Sequence, residues 1–473
     1  MKIKLYHIVV FLLLFLPFEI IVLKYLPVND VLYSLSRMAS EFIIYSLLLY
    51  VIATKLNSRT PFSKSPIHTP LLIFIFYSLS LILINAAPVV DSLINMRAIL
   101  RYLALFYVII NIDIEYRTVV KLTKALIGIG LLQSFIAIYH HFFGINDFWM
   151  PRENVLEIAG KVSNFKILGK GSIRSGREIG VGIGTMGDSL TLSMFLVVCS
   201  ALIIPFLYKT FNTNIKSRFY IALSLAIILL AILYTYSRGS FLITLLMFPI
   251  SWLLVNRIKK SALLISVTIL IVIPAFLFVD EIGSDSDEAY INPVMEYVSP
   301  IENVTSIFTK SYQERTFEYS RGFMISAIGG ELFRSLTLIG YGPAMNFALE
   351  KAIEQNLTFV DYKNINVIND VYWIAFIIYY GIIGLALFLF ILYKLLKVSL
   401  YVIRYSDLLY HRTLALSFIL ILVTAIPYTF IIRTFVFRQY SLYFWALAAL
   451  TALEWYRLQQ KSKKELAVKT LIK

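Results

Sequence analysis

A single cysteine, Cys199, serves the whole chain of 473 residues. No disulfide can close within it, which excludes a small stapled scaffold. Charge is scarce as well: 15% of residues are Asp, Glu, Lys or Arg, against about 25% in an average soluble domain. Apolar residues make up 59%, and the mean hydropathy is +0.78. A soluble enzyme of this size would need far more polar surface, and a disordered chain far less apolar content. The P-loop and the dinucleotide-binding glycine fingerprint are both missing. Acidic residues are the rarer sign, 28 against 43 Lys and Arg, for a net charge of +15. That excess is scattered in short stretches between apolar runs, which is the pattern of loop charges in a membrane protein and not of a nucleic-acid binder.

What is abundant is the apolar run long enough to cross a bilayer, roughly 20 residues. Twelve are read: 6–24, 32–54, 70–87, 97–112, 119–141, 189–207, 219–236, 239–255, 262–279, 373–393, 413–431 and 437–455. The first continues through Phe18-Glu19-Ile20-Ile21-Val22-Leu23 with no small-residue cleavage site, so it reads as a retained span. The fold class expected is all-α, a polytopic transmembrane bundle of about twelve helices. With the N-terminus inside, the inner segments hold 23 Lys and Arg against four acids. The positive-inside rule then places both termini in the cytoplasm. The expected organisation is helices over 1–141, an outer loop at 142–188, and helices over 189–279. A large outer loop with short amphipathic helices follows at 280–372, then helices over 373–455 and a basic tail at 456–473.

The outer side collects arginine. Arg97, Arg101, Arg174, Arg177, Arg238, Arg315, Arg321, Arg433 and Arg438 fall in outer segments or at outer helix ends, whereas lysine dominates the inner loops. Snorkelling toward headgroups would be served equally by either residue. Arginine alone presents a planar fork that grips phosphate oxygens in pairs, so the bias points to an anionic, phosphorylated ligand. Arg238 is the sharpest case, within the short turn Tyr236-Ser237-Arg238-Gly239-Ser240. It reads either as a ligand donor or as the C-cap of the preceding helix, a favourable place for a cation, with Gly239 supplying the tight backbone. Arg315 and Arg321 lie in a stretch of helical periodicity, Tyr312 to Ile328, that would also suit an amphipathic surface helix. His140-His141, the one outer histidine pair, reads as interfacial.

In their order and sidedness these segments resemble the O-antigen ligase and O-antigen polymerase superfamily. The resemblance rests on Ser237-Arg238-Gly239, then Arg315-Thr316-Phe317-Glu318-Tyr319, Gly340-Tyr341-Gly342, Asn369-Asp370-Val371-Tyr372 and Gly381-Ile382-Ile383-Gly384. Upstream, Arg174-Ser175-Gly176-Arg177 and Gly184-Thr185-Met186-Gly187-Asp188 resemble the polar segment before the sixth helix. The resemblance covers roughly residues 165–390.

It implies a glycosyltransferase of the bacterial cytoplasmic membrane, working on the outer face with neither metal nor other cofactor. The donor would be an oligosaccharide on a polyprenyl diphosphate, with the lipid bilayer, a chain-length regulator and a flippase as partners. The paired diphosphate arginines carry over to Arg238 and Arg315, with Arg321 competing for the second place. Arg174, Arg177, Arg433, Asn369, Tyr319 and Tyr341 become candidate substrate contacts. Ligases commonly place a histidine before the Gly-x-x-Gly helix. Here that stretch reads Val367-Ile368-Asn369-Asp370, which favours the polymerase over the ligase. Asp370 is then the candidate base, or otherwise the N-cap of the following helix. No Asp-x-Asp pair flanks an outer helix; Asp285 and Asp287 have that spacing within a stretch that reads as solvated. A lipid-linked glycan flippase or other transporter is the rival class, for which an internal repeat would be expected and none is seen.

Overall fold

The computed structural model describes residues 4–25, 30–145, 148–149, 181–208, 214–255, 328–335, 337–355, 357, 368 and 371–471. Every regular element among them is helical. The first two, α1 (Leu5–Phe15) and α2 (Glu19–Lys24), are separated by a short 3-10 turn at Leu16–Phe18, where Pro17 removes a donor. Then come α3 (Asp30–Asn57), α4 (His68–Ile84), α5 (Val89–Leu100), α6 (Leu103–Asn111) and α7 (Tyr116–Phe143). They are followed by α8 (Ser189–Ile203), α9 (Ile215–Tyr234), α10 (Arg238–Val255), α11 (Gly329–Arg334) and α12 (Met345–Gln355). The last three are α13 (Tyr372–Tyr405), α14 (Leu409–Tyr428) and α15 (Arg438–Leu471).

Eight helical segments among the described residues are long and apolar enough to cross a membrane, or nine if α5 and α6 form one bent span. The chain is therefore a multi-pass membrane protein. The expected count of twelve is not reached among the described residues, for four reasons. The span expected at 70–87 is α4, a helix of 17 residues and so shorter than a full crossing. Residues 262–279 lie outside the described residues. The span expected at 97–112 is instead two helices meeting at a bend of 46° beside Arg101 and Tyr102. The span expected at 437–455 falls in α15, whose Arg438, Gln439, Tyr440 and Ser441 dilute its hydropathy. That helix is buried from Gln439 to Glu454, so it packs against protein and has no need of a lipid-compatible face.

Two compact units share the chain. The first comprises residues 1–43 and 114–312, the second residues 44–113 and 313–473. In the first, α8 is the core, packed by α7, α9 and α10 and buried along nearly its whole length. Gly130 allows α7 to touch it: a Cβ there would meet the Cys199 sulfur at 2.7 Å.

In the second unit α13, α14 and α15 pack together, with α4 against α13 and α6 against α15. One end is tied by Glu454, whose carboxylate lies 2.7 Å from His411 Nδ1 and accepts from Ser406 Oγ at 3.0 Å. At the other end Trp373 Nε1 donates to Ile426 O at 2.8 Å and Tyr372 N to Thr429 O at 3.2 Å.

Candidate functional site

In the first unit the turn before α10 departs from the expectation in two ways. Helix α9 stops at Tyr234 with Thr235 as its C-cap, and Arg238 opens the next helix. Arg238 is thus not the C-cap of the preceding helix. It stands at the positive end of a helix dipole, where a cation is disfavoured by roughly 0.3–1 kcal/mol. The residue with left-handed backbone is Tyr236, at φ 55°, and not Gly239. A bulky aromatic in that region is strained, and such strain persists only where its surroundings hold it.

The surroundings do so. His141 stacks flat on Tyr234, ring centroids 4.0 Å apart, and lies 6.3 Å from the Tyr236 ring. Thr235 Oγ1 donates to Ile232 O at 2.6 Å, and Ser237 and Ser240 join hydroxyls at 2.7 Å. Ser240 donates onward to Ser193 Oγ on α8, also at 2.7 Å. The turn is therefore pinned to the core helix of its unit, with Arg238 half-buried on it.

The Gly184–Asp188 segment is a scaffold. Gly184 and Gly187 adopt φ of 56° and 70°. Asp188 caps α8, accepting from Thr191 N at 3.0 Å and from Thr191 Oγ1 at 2.8 Å. Thr185 exchanges bonds with Gln133 on α7, at 2.6 and 2.9 Å, and donates to Pro17 O at 2.6 Å. Gln133 and Pro17 carried no signal in the sequence, because each looked like part of an ordinary apolar run. The histidine pair divides: His140 is fully buried, taking a hydrogen bond from Ile183 N at 3.4 Å, so it is not interfacial. It lies inside because the chain at Ile183 folds back over that face of α7.

In the second unit two of the sequence motifs interlock. Helix α13 breaks at Gly381, φ 65°, which frees backbone groups on both sides. The segment 337–342 takes them up. Tyr341 N donates to Ile378 O at 2.8 Å and Gly342 N to Tyr379 O at 3.0 Å. In return Ile382 N donates to Thr337 O at 3.0 Å and Ile383 N to Leu338 O at 3.2 Å. A buried backbone group must find a partner, so the break and the turn require one another. Both glycines are forced by contact: a Cβ on Gly340 would meet Tyr379 O, and one on Gly381 would meet Leu338 O, each at 2.3 Å. Asn85 Nδ2 and Tyr77 OH complete the junction, donating to Gly340 O at 3.0 Å and Tyr380 O at 2.8 Å. Tyr341 is 8% exposed, so its ring is enclosed, and its backbone N–H serves the junction.

The N-cap position of α13 belongs to Val371, which has no side-chain bond to offer. Asp370 itself lies outside the described residues, as do Asn369, Arg315, Arg321, Arg174, Arg177 and Tyr319.

Arg433 lies in the connection between α14 and α15, half-buried and near enough for its charge to act on the buried Tyr372 hydroxyl. Two other expected outer arginines fix this connection. Arg101 Nη2 donates to Val436 O at 2.7 Å, and Arg438 Nε donates to Tyr102 OH at 3.1 Å. No group of three or more potential metal ligands occurs among the described residues. Comparison with known proteins adds no relative: no family model matches the chain, and no curated protein matches it.

Proposed function

We propose that the protein is a membrane glycosyltransferase that polymerises lipid-linked oligosaccharide repeat units into a surface polysaccharide, such as O-antigen. It works on the outer face of the bacterial cytoplasmic membrane, with both termini in the cytoplasm. The observation that carries this is Arg238, held at the positive end of α10 by a strained, hydroxyl-pinned turn. A cation in that position is poorly placed for stability and well placed for an anion, which the helix N-terminus and the guanidinium would both attract. The joining of Gly340-Tyr341-Gly342 to Gly381 supports the same reading, since the two glycine motifs that carry the resemblance interlock as one structural device.

The chemistry follows from those parts. An acceptor sugar hydroxyl attacks the anomeric carbon of the donor glycan. The bond from that carbon to the diphosphate oxygen breaks, and the polyprenyl diphosphate leaves with the electron pair. Arg238 neutralises the charge that develops on it, with Arg315 or Arg321 as second donor. The hydroxyl proton passes to Asp370, and no metal ion is needed. The missing histidine ahead of α13 favours polymerase over ligase.

The test is a gel of surface glycans from cells carrying Arg238→Ala. One such donor is worth about 3–4 kcal/mol, so the rate should fall roughly a hundredfold or more. Single repeat units should remain on the final acceptor. Full-length glycan stranded on the lipid carrier would indicate a ligase. Wild-type chain lengths on the final acceptor would sink both transferase readings and bring the transporter forward. Arg238→Lys should be impaired nearly as badly, because a point charge cannot replace the fork.

A further inference from the structure

Helix α15 opens on a face that is polar and enclosed. Arg438, Ser441 and Trp445 follow one another along it at spacings of three and four residues, so they share one side of the helix. Within the second unit that side meets α6. The Trp445 ring makes a T-shaped contact with Phe106, centroids 6.2 Å apart, and Arg438 Nε donates to Tyr102 OH at 3.1 Å. Ser441 is 0% exposed and Trp445 1%.

Neither Ser441 Oγ nor Trp445 Nε1 has a hydrogen-bond partner among the described residues. For Ser441 this departs from the habit of its unit. Ser399, Ser417, Thr424 and Thr451, all buried on α13, α14 and α15, each donate to the carbonyl four residues back. The Ser441 hydroxyl leaves that bond unmade, and an indole N–H can only donate. Two enclosed donors one helical turn apart therefore lack an acceptor, an arrangement that costs stability unless something supplies one.

The field over these donors is positive. They lie in the opening turns of α15, at the positive end of its dipole. Arg438 stands one turn ahead of Ser441, and Arg101 reaches the same helix end, donating from Nη2 to Val436 O at 2.7 Å. Tyr102 OH and the Val436 carbonyl are neutral acceptors, so these two bonds cancel no charge. Water would use the donors and gain nothing from the field, whereas an anion gains from both. Because both side chains are enclosed, the occupant is small: a halide and not a lipid headgroup.

We propose that Ser441 and Trp445 hold a chloride-sized anion between α6 and α15. The anion satisfies both donors, offsets part of the charge of Arg438 and Arg101, and fastens the start of α15 to α6. This goes beyond the transferase reading and does not rest on it.

The test is thermal unfolding of the full chain in neutral detergent, with sodium chloride exchanged stepwise for sodium gluconate at constant ionic strength. The midpoint should rise with chloride and saturate, as one site on the folded state requires, and bromide should substitute for chloride. Ser441→Ala and Trp445→Phe should each raise the chloride concentration at half-effect about tenfold to a hundredfold, the worth of one hydrogen bond to a charged group. Ser417→Ala, whose hydroxyl is already given to Thr413 O, should leave it unchanged. Equal midpoints in chloride and gluconate would overturn the site. So would an unchanged half-effect concentration in Ser441→Ala, which removes a single oxygen and decides the matter should Trp445→Phe fail to fold.

Discussion

Replacing Gly381 by alanine should unseat the junction between the Gly-x-Gly turn and α13. The new Cβ would lie 2.3 Å from Leu338 O and 2.6 Å from Gly340 N. Both are backbone atoms of a packed turn, so no flexible side chain can swing aside. At φ 65° the alanine also meets the left-handed penalty, about 1–2 kcal/mol. The turn must withdraw, which stretches the four backbone hydrogen bonds that bind 337–342 to the break. At about 1–1.5 kcal/mol each, losing two of them brings the total to about 3–5 kcal/mol. The assay is unfolding of the purified protein in mild detergent by titration with SDS, followed by circular dichroism. Gly128→Ala is the control, because nothing lies within 4 Å of a Cβ there. It should be neutral or slightly stabilising, since a helical glycine is the weaker helix former. Gly340→Ala attacks the same contact from the other side, with Tyr379 O at 2.3 Å. The double variant should cost at least about 1 kcal/mol less than the sum of the singles, since a turn already displaced cannot be displaced again. A wild-type unfolding midpoint for Gly381→Ala, or strict additivity with Gly340→Ala, would refute the interlock.

Thr185→Val should destabilise the first unit by about 2–4 kcal/mol in the same titration, because it orphans the buried Gln133 amide and the Pro17 carbonyl together. A loss below about 0.5 kcal/mol would mean that water replaces the hydroxyl. A cysteine at Ser286 should react with an impermeant thiol reagent in intact spheroplasts, with the buried Cys199 silent; reaction only after permeabilisation would reverse the orientation and move Arg238 to the wrong side. Asp370→Asn should lower polymerisation about 10²–10⁴-fold while leaving the unfolding midpoint unchanged if Asp370 is the base. An equal loss of stability and activity would make Asp370 structural.

How much of this was legible in the sequence depends on whether a residue's partner is near it in the chain. The spans were readable because lipid imposes a length and a composition on each segment separately. Gly340 and Gly381 were readable as glycine motifs, but their reason was not: forty-one residues apart, they meet because a broken helix must borrow backbone partners from elsewhere. The α5–α6 bend escaped for a related cause. No glycine or proline marks it; what marks it is Arg101, whose use for the Val436 carbonyl only the fold reveals. Tyr236 is the converse case, where glycine was expected in the left-handed position and stood three residues away. A turn built only for stability would have put glycine at the strained place. That it carries an aromatic there, buttressed by His141 and Tyr234, is what fixes the direction in which α10 starts, and so where Arg238 is held. Arg238 therefore sits where a local rule fails, and a local rule fails without penalty only when distant parts of the chain compensate for it.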